Sequence, residues 1–364
     1  MSLLWSDKMS HELHAIALSV SAFPEGASEL WDNLASSTPE ELYSMLNGRA
    51  LRSQLHVARH YPEKSLEAAM AIMERIRDSN IGIMHYWDAD YPPRLRAIRQ
   101  PPIVLYYLGA RPLESQSVAV VGTRRPRERS LHITERLVRA LTAAGFTVVS
   151  GMARGIDGTS HERALREGGR TIGVLANGID IVYPLLNSHI YDRIAASSGS
   201  SLLSEYPPGT VAGRWTFVRR NRIISALSQA TVVVEAGRRS GALITAGYAA
   251  EQGRDVFVCP GPALDEAFYG CHRLIEEGAG ILYDMERFME GLTGRCGCRQ
   301  LELFGEAEAT ATPPDSPDDP GEGQILRFLS AGAADIDTVI RQCHMPVHEF
   351  HEALVLLEMK GLVS

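Results

Sequence analysis

Four short stretches carry residue types that grip phosphate or stack on bases. The first is Gly122-Thr123-Arg124-Arg125-Pro126, and the second is Ser150-Gly151-Met152-Ala153-Arg154-Gly155-Ile156-Asp157. Each follows a short apolar run. Glycine lets the backbone turn sharply and approach an anion closely. Amides at the start of the next helix then cradle phosphate, and Arg124, Arg125 and Arg154 add charge at the same rim. The third stretch, residues 214–222, interleaves Arg214, Arg219, Arg220 and Arg222 with Trp215, Phe217 and Asn221. Arginine neutralises phosphate, and an aromatic ring stacks on an unpaired base. That combination suits a single strand better than a duplex, whose bases offer no free faces. A structural use of the same residues stays open: Phe217 in the core, Asn221 as a helix cap, Arg222 paired with an acid. The fourth stretch, residues 235–245, offers Ser240 and Gly241 at a helix start. Glu235, at a strand end, is a candidate general base. No nucleophile accompanies it, so an ion pair with one of the many arginines is the simpler use.

Several chemistries are disfavoured. The dinucleotide pattern G-x-G-x-x-G is absent, and no Gly-Lys-Ser/Thr follows a strand in this region. No nucleotide cofactor is expected. Cys296-Gly297-Cys298 is too tightly spaced for a two-knuckle zinc site, and no second pair follows. Cys259 and Cys271 read as core residues, and Cys343 and His344 have no companions. No metal is expected.

The elements that position these stretches follow from periodicity. Residues 10–80 read as four or five short helices, with Thr38-Pro39-Glu40-Glu41 forming a capping box. Residues 81–112 are rich in Tyr, Trp and Pro and read as an irregular connector. From residue 117, strands at 118–121, 147–150, 171–175, 201–203, 231–234 and 256–258 alternate with helices at 131–144, 159–167, 190–197, 221–227, 242–252 and 272–277. These strands are apolar throughout, as strands covered on both faces are. The expected fold is α/β: an extended Rossmann-like domain on a parallel sheet. A compact three-helix module at 323–364 has helix-turn-helix spacing and almost no residues left for a wing. The expected domains are a helical module at 1–80, the Rossmann-like domain at 81–295, an acidic Pro-rich linker at 296–322 and a winged-helix-like module at 323–364.

Composition bounds the rest. The chain has 364 residues, 45% of them hydrophobic and 22% charged, with a formal net charge of −8. No window of 18 uninterrupted apolar residues exists, so no membrane span is expected. The first residues lack a basic-then-apolar signal pattern, and five cysteines make no disulfide framework. A reducing cytoplasm is expected. The negative charge hides an asymmetry. Residues 306–323 hold six Asp/Glu, four Pro and no Lys/Arg, whereas residues 117–260 hold 18 Arg and no Lys against 11 Asp/Glu, a net of +7. Guanidinium suits bidentate phosphate contact and stacking.

Together these stretches resemble the DNA-processing protein A family (DprA, also called Smf). The resemblance is carried over roughly 85–290 by D-A-D-Y-P-P-R-L, P-P-I-V-L-Y, V-A-V-V-G-T-R-R-P, S-G-M-A-R-G-I-D and L-A-N-G-I-D-I-V-Y-P. It continues through S-E-Y-P-P-G-T, F-V-R-R-N-R-I-I-S-A-L, S-G-A-L-I-T-A and V-F-V-C-P-G. It implies a homodimer that binds single-stranded DNA and loads the RecA recombinase onto DNA entering in natural transformation, with no catalysis. The family's phosphate-gripping motif falls on Gly122, Thr123 and Arg124, and its basic-aromatic strip on Arg214, Phe217, Arg220 and Arg222. The C-terminal module departs from a DNA-reading winged helix. Its last helix, residues 347–360, carries Glu349, Glu352 and Glu358 against one Lys, a poor phosphate partner. A protein-contact role is expected for it. The rival reading is a Rossmann-like nucleotide hydrolase of phosphoribohydrolase type, which has no need of the 214–222 strip.

Overall fold

A computed structural model describes residues 2–20, 28–52, 62–112 and 115–294. The linker and winged-helix-like module expected at 296–364 lie outside the described residues. The helical elements are α1 (Ser2–Val20), α2 (Ser28–Asn33), α3 (Pro39–Arg52), α4 (Pro62–Ile76), α5 (Pro93–Arg96), α6 (Glu128–Ala143), α7 (Ile156–Arg166), α8 (Ser188–Ala195), α9 (Arg214–Ala226), α10 (Gly241–Glu251), α11 (Tyr269–Glu276) and α12 (Met285–Leu292). The strands are β1 (Gly82–His85), β2 (Val104–Gly109), β3 (Ser117–Val121), β4 (Thr147–Ser150), β5 (Thr171–Val174), β6 (Ser201–Ser204), β7 (Ala230–Val233), β8 (Asp255–Val258) and β9 (Gly280–Ile281).

The nine strands form one sheet in the order β1-β2-β6-β5-β4-β3-β7-β8-β9. From β6 to β9 all pairings are parallel. At the other edge β2 runs antiparallel to β6, and β1 antiparallel to β2. This corrects the reading of 81–112 as an irregular connector. Leu105 and Tyr106 are fully buried, so the aromatic segment is a sheet edge. Its partner β6 lies about a hundred residues further on, beyond the reach of local pattern.

The central strands are apolar because both faces are covered. Val118 and Val120 of β3 pack with Leu137, Val138 and Leu141 of α6, while Ala119 and Val121 join the opposite cluster with Ile223 and Ile224 of α9. Two hydroxyls buried among them are satisfied by backbone carbonyls. Ser150 Oγ donates to Val120 O (2.6 Å) and Thr171 Oγ1 to Val148 O (2.8 Å). Helix α6 stops where Gly145 turns at φ +80°, with Gly145 N–H donating to Thr142 O and Phe146 N–H to Leu141 O. The capping box of α3 forms as expected: Thr38 N–H donates to Glu41 Oε2 (2.9 Å) and Glu41 N–H to Thr38 Oγ1 (3.2 Å). Among the described residues no helix is long and apolar enough to cross a membrane.

Candidate functional site

Strand β3 is paired with β4 on one side and β7 on the other. The chain winds outward in both directions from it, so the strand order reverses between β3 and β7. In an open α/β sheet a ligand crevice forms beyond the strand ends at such a switch point. Three loops meet there: 122–127 after β3, 151–155 after β4 and 236–240 after β7.

These loops are locked together. Thr123 N–H donates to Glu235 O (2.8 Å), and Ile156 N–H donates to Thr123 O (3.3 Å). Thr123 Oγ1 accepts Arg125 N–H (3.2 Å), closing a hydroxyl turn. Gly155, the N-cap of α7, holds φ +78°. A Cβ on it would lie 2.5 Å from Thr123 O and 2.7 Å from Pro126 Cδ. Glycine is therefore required here both for its backbone angle and for the close approach of two loops. Glu235 is buried and accepts Arg127 N–H (3.0 Å). Its partner is thus a backbone amide, not the arginine side chain expected.

The crevice has two lobes. One, of about 490 Å³, is lined by Gly122, Thr123, Asp157, Asn221, Arg239 and the start of α10. Ser240 caps that helix, its Oγ accepting Ala242 N–H (3.3 Å), and the helix N-terminus favours an anion in the lobe. The other lobe, of about 570 Å³, is lined by Arg125, Gly151, Arg154, Asn177, Tyr183 and Leu185. Arg124 and Phe217 border both. The Arg124 guanidinium lies 5.1 Å from the Phe217 ring centre, and the Tyr183 ring lies 5.8 Å from it on a tilt. Arg124, Arg125, Arg154 and Arg239 are exposed, and none forms an ion pair among the described residues. Their neighbours Arg127 and Arg238 are tied to Asp265 and Glu266.

Arg220 stands under this rim, not on it. It is buried, donates through Nη1 to Gly151 O (2.7 Å) and to Val174 O, and through Nε to Asn221 Oδ1 (3.2 Å). Asp157 faces it: a Cβ on Gly151 would fall 2.6 Å from Arg220 Nη2 and 2.9 Å from Asp157 Oδ2. Burial lowers Arg220 to about 10, with the Asp157 charge opposing the change. Burial likewise raises Asp157, against the attraction of Arg220. Deeper in α7, His161 is wholly buried; its Nδ1 lies 2.7 Å from Thr171 Oγ1, and burial depresses it to about 3.

The expectation that 214–222 forms one exposed basic-aromatic surface is corrected. The segment is helix α9, which begins seven residues earlier than its apolar pattern suggests. Helical periodicity places Phe217, Arg220 and Asn221 toward the crevice. It turns Arg219 and Arg222 to the opposite flank, where both meet the buried Glu205 (3.4 and 2.5 Å). Arg220, Asn221 and Arg222 are all buried, so none offers an open phosphate contact in the crevice. Asn221 caps nothing; its Nδ2 donates to Gly241 O (3.3 Å) and ties α9 to the start of α10. Arg214 is exposed at the first residue of α9 and borders neither lobe. Exposed Trp215 packs edge-on against Tyr206 (5.7 Å). Arg239 belongs to the 235–245 stretch, whose glycine, hydroxyl and arginine the sequence offers at a helix start. Tyr183 and Leu185 carry no signal in residue type; theirs is position, in the loop beyond β5.

Among the described residues no group of His, Cys, Asp and Glu is placed to hold a metal. Cys259 and Cys271 are buried, which pushes their thiols up to about 12 and about 11.

Residues 82–293 match the sequence profile of the family DNA recombination-mediator protein A, and residues 309–364 that of the DprA winged helix domain. Protein Smf of Synechocystis sp. is 37% identical over 306 residues, covering 76% of each chain. The DNA processing protein DprA of Bacillus subtilis is 38% identical over 226 residues, covering 62% of this chain and 75% of that one. Among solved structures, DNA processing protein A of Streptococcus pneumoniae superposes with a TM-score of 0.57 at 32% identity, over 67% of this chain and 90% of its own. That of Helicobacter pylori, described for its single-stranded DNA binding mode, gives 0.54 at 29% identity, over 59% and 96%.

Proposed function

Because this chain belongs to the DNA recombination-mediator protein A family, we propose that it binds single-stranded DNA without regard to sequence, protects it and delivers it to a RecA-type recombinase. In this reading it acts as a homodimer in the cytoplasm, in natural transformation or recombination, and catalyses no reaction. The observation that carries the reading is the two-lobed crevice parted by Arg124 and Phe217. Successive backbone phosphates sit against Arg125 and Arg154 in one lobe, and against Arg124, Arg239 and the start of α10 in the other. Gly122, Gly151 and Gly155 let the loops of the rim pack this closely on the residues beneath them. Phe217 and Tyr183 offer ring faces to bases, a contact worth about 1–3 kcal/mol per base. The single-strand binding described for the Helicobacter pylori relative supports the same ligand. Two engaged protomers would raise avidity without any new contact.

Glu235 weighs against the nucleotide-hydrolase reading. It is buried and already engaged by the Arg127 amide. The test is fluorescence anisotropy of labelled oligo-dT against salt, beside a duplex of equal length and the variant Arg124→Ala/Arg154→Ala. The expected result is tighter binding of the single strand, a salt slope of about −0.7 per phosphate contacted, and a shallower slope in the variant. Equal affinity for duplex, or an unchanged slope in the variant, overturns the assignment.

A further inference from the structure

On the flank of α9 away from the crevice lies a second groove, of about 590 Å³, between the loop 97–100, α9 and the end of α10. Arg99, Arg219, Arg222 and Arg254 line it, with Glu251 the one carboxylate in its wall. Arg222 is more than nine-tenths buried. Its Nη2 is held by Glu205 Oε2 at 2.5 Å, but its Nε and Nη1 have no hydrogen-bond partner among the described residues. Arg254 Nε is likewise buried and unpartnered. Gln252 donates through Nε2 to Arg222 O (3.0 Å), while its Oε1 accepts nothing.

Unmet buried donors of this kind are costly, more so when charged. Glu205 relieves them only in part: its Oε2 faces both Arg219 and Arg222, and its Oε1 is buried with no partner among the described residues. Arg254 has a further cation beside it: burial and the nearby Arg94 guanidinium both lower its affinity for its proton. Among the described residues the groove thus sets four arginines against Glu205 and Glu251, an excess of positive charge. It supplies several N–H donors and one amide acceptor. A monohydrogen phosphate matches that set, with three oxygens to accept and one O–H to donate.

We propose that this groove is a second anion site, separate from the crevice, that takes a phosphate group through Arg222, Arg254 and Arg99. The phosphate belongs either to a further stretch of nucleic-acid backbone or to a small phosphate-bearing ligand. The site stands whether or not the crevice binds DNA, since no residue lines both.

The experiment is calorimetric titration of the full chain with inorganic phosphate. Arg99→Gln/Arg254→Gln is the principal variant, because Arg99 is exposed and Arg254 half-exposed, so the fold does not depend on them. Arg222→Lys is a second variant, and Arg124→Ala reports on the crevice. Wild type should bind phosphate, and Arg99→Gln/Arg254→Gln introduced into Arg124→Ala should bind it at least ten-fold more weakly than Arg124→Ala alone. No phosphate binding to Arg124→Ala, or unchanged binding when Arg99→Gln/Arg254→Gln is added to it, overturns the proposal. The salt dependence of oligo-dT binding then names the source. A shallower slope in Arg99→Gln/Arg254→Gln identifies backbone phosphate. An unchanged slope with phosphate binding lost identifies a small ligand.

Discussion

Replacing Arg220 by Met removes a charge that the fold, rather than a ligand, uses. Arg220 donates to the carbonyls of Gly151 and Val174 and faces Asp157 beneath the crevice. Met keeps most of the volume, so the loss is electrostatic. It leaves two carbonyls short of a charged donor and a buried carboxylate without its cation. Losing the charged donor from these two buried carbonyls costs about 3–5 kcal/mol in all, hydrogen bonds to a charged group being worth about 1.5–3 kcal/mol each. At about 2–4 °C per kcal/mol for a unit of 150–250 residues, the Tm should fall by about 6–20 °C. The pH dependence has a sign. Burial already raises Asp157 above its unfolded value, and the variant raises it further. A carboxyl whose folded pKa is raised contributes most stability when protonated, below the unfolded pKa, and loses that contribution as pH rises through the folded one. The deficit of Arg220→Met should therefore be largest near neutral pH and shrink on acidification. Adding Asp157→Leu should recover part of the Tm, since an apolar pair replaces a lone charge. Calorimetric melts at several pH values measure all of this. A variant that melts with wild type yet loses oligo-dT binding would refute the buried role and restore Arg220 as a DNA contact.

The crevice rim should behave oppositely. Arg124→Ala removes an exposed guanidinium and its stack on Phe217. Oligo-dT affinity should fall by about 1–2 kcal/mol, the lower range of a charge-assisted bond at an exposed site, with no shift in Tm by calorimetry. Gly155→Ala puts a Cβ 2.5 Å from Thr123 O at φ +78°. The left-handed angle alone costs about 1–2 kcal/mol. Tm and oligo-dT affinity should fall together as the 122–127 loop is displaced, so a loss of either one alone contradicts the account. His161 is depressed to about 3 by burial. A lowered folded pKa gives stability that is present above the unfolded value and lost as pH falls from about 6.5 toward 3, at up to about 1.4 kcal/mol per pH unit. Urea unfolding of wild type and His161→Gln at pH 7 and 5 should show that slope in wild type only.

What could be read ahead of the fold divides along a physical line. Strands β3, β4, β5 and β7 were legible because burial on both faces leaves an uninterrupted apolar run. The loops that follow them were legible because glycine and arginine at a strand end have few other uses. Strands β1 and β2 were not, because β2 is placed by pairing with β6, far away in sequence, and β1 in turn by pairing with β2. The start of α9 was hidden for a related reason. Arg214-Trp215-Thr216 has no apolar period, and the helix is instead begun by a local exchange in which Gly213 N–H donates to Thr216 Oγ1 (2.9 Å).

The 214–222 arginines show how residue type fails as a guide to role. All four have the same chemistry, yet Arg214 is exposed, Arg220 is buried in the floor of the crevice, and Arg219 and Arg222 face another groove. What sorts them is the helical turn together with Glu205, a buried carboxylate in the loop after β6 that no reading of α9 alone contains. Once that carboxylate takes one nitrogen of Arg222, the other two remain without partners among the described residues. An arginine wasted as a DNA contact by its burial thus becomes the strongest sign of a ligand on the far side of the same helix.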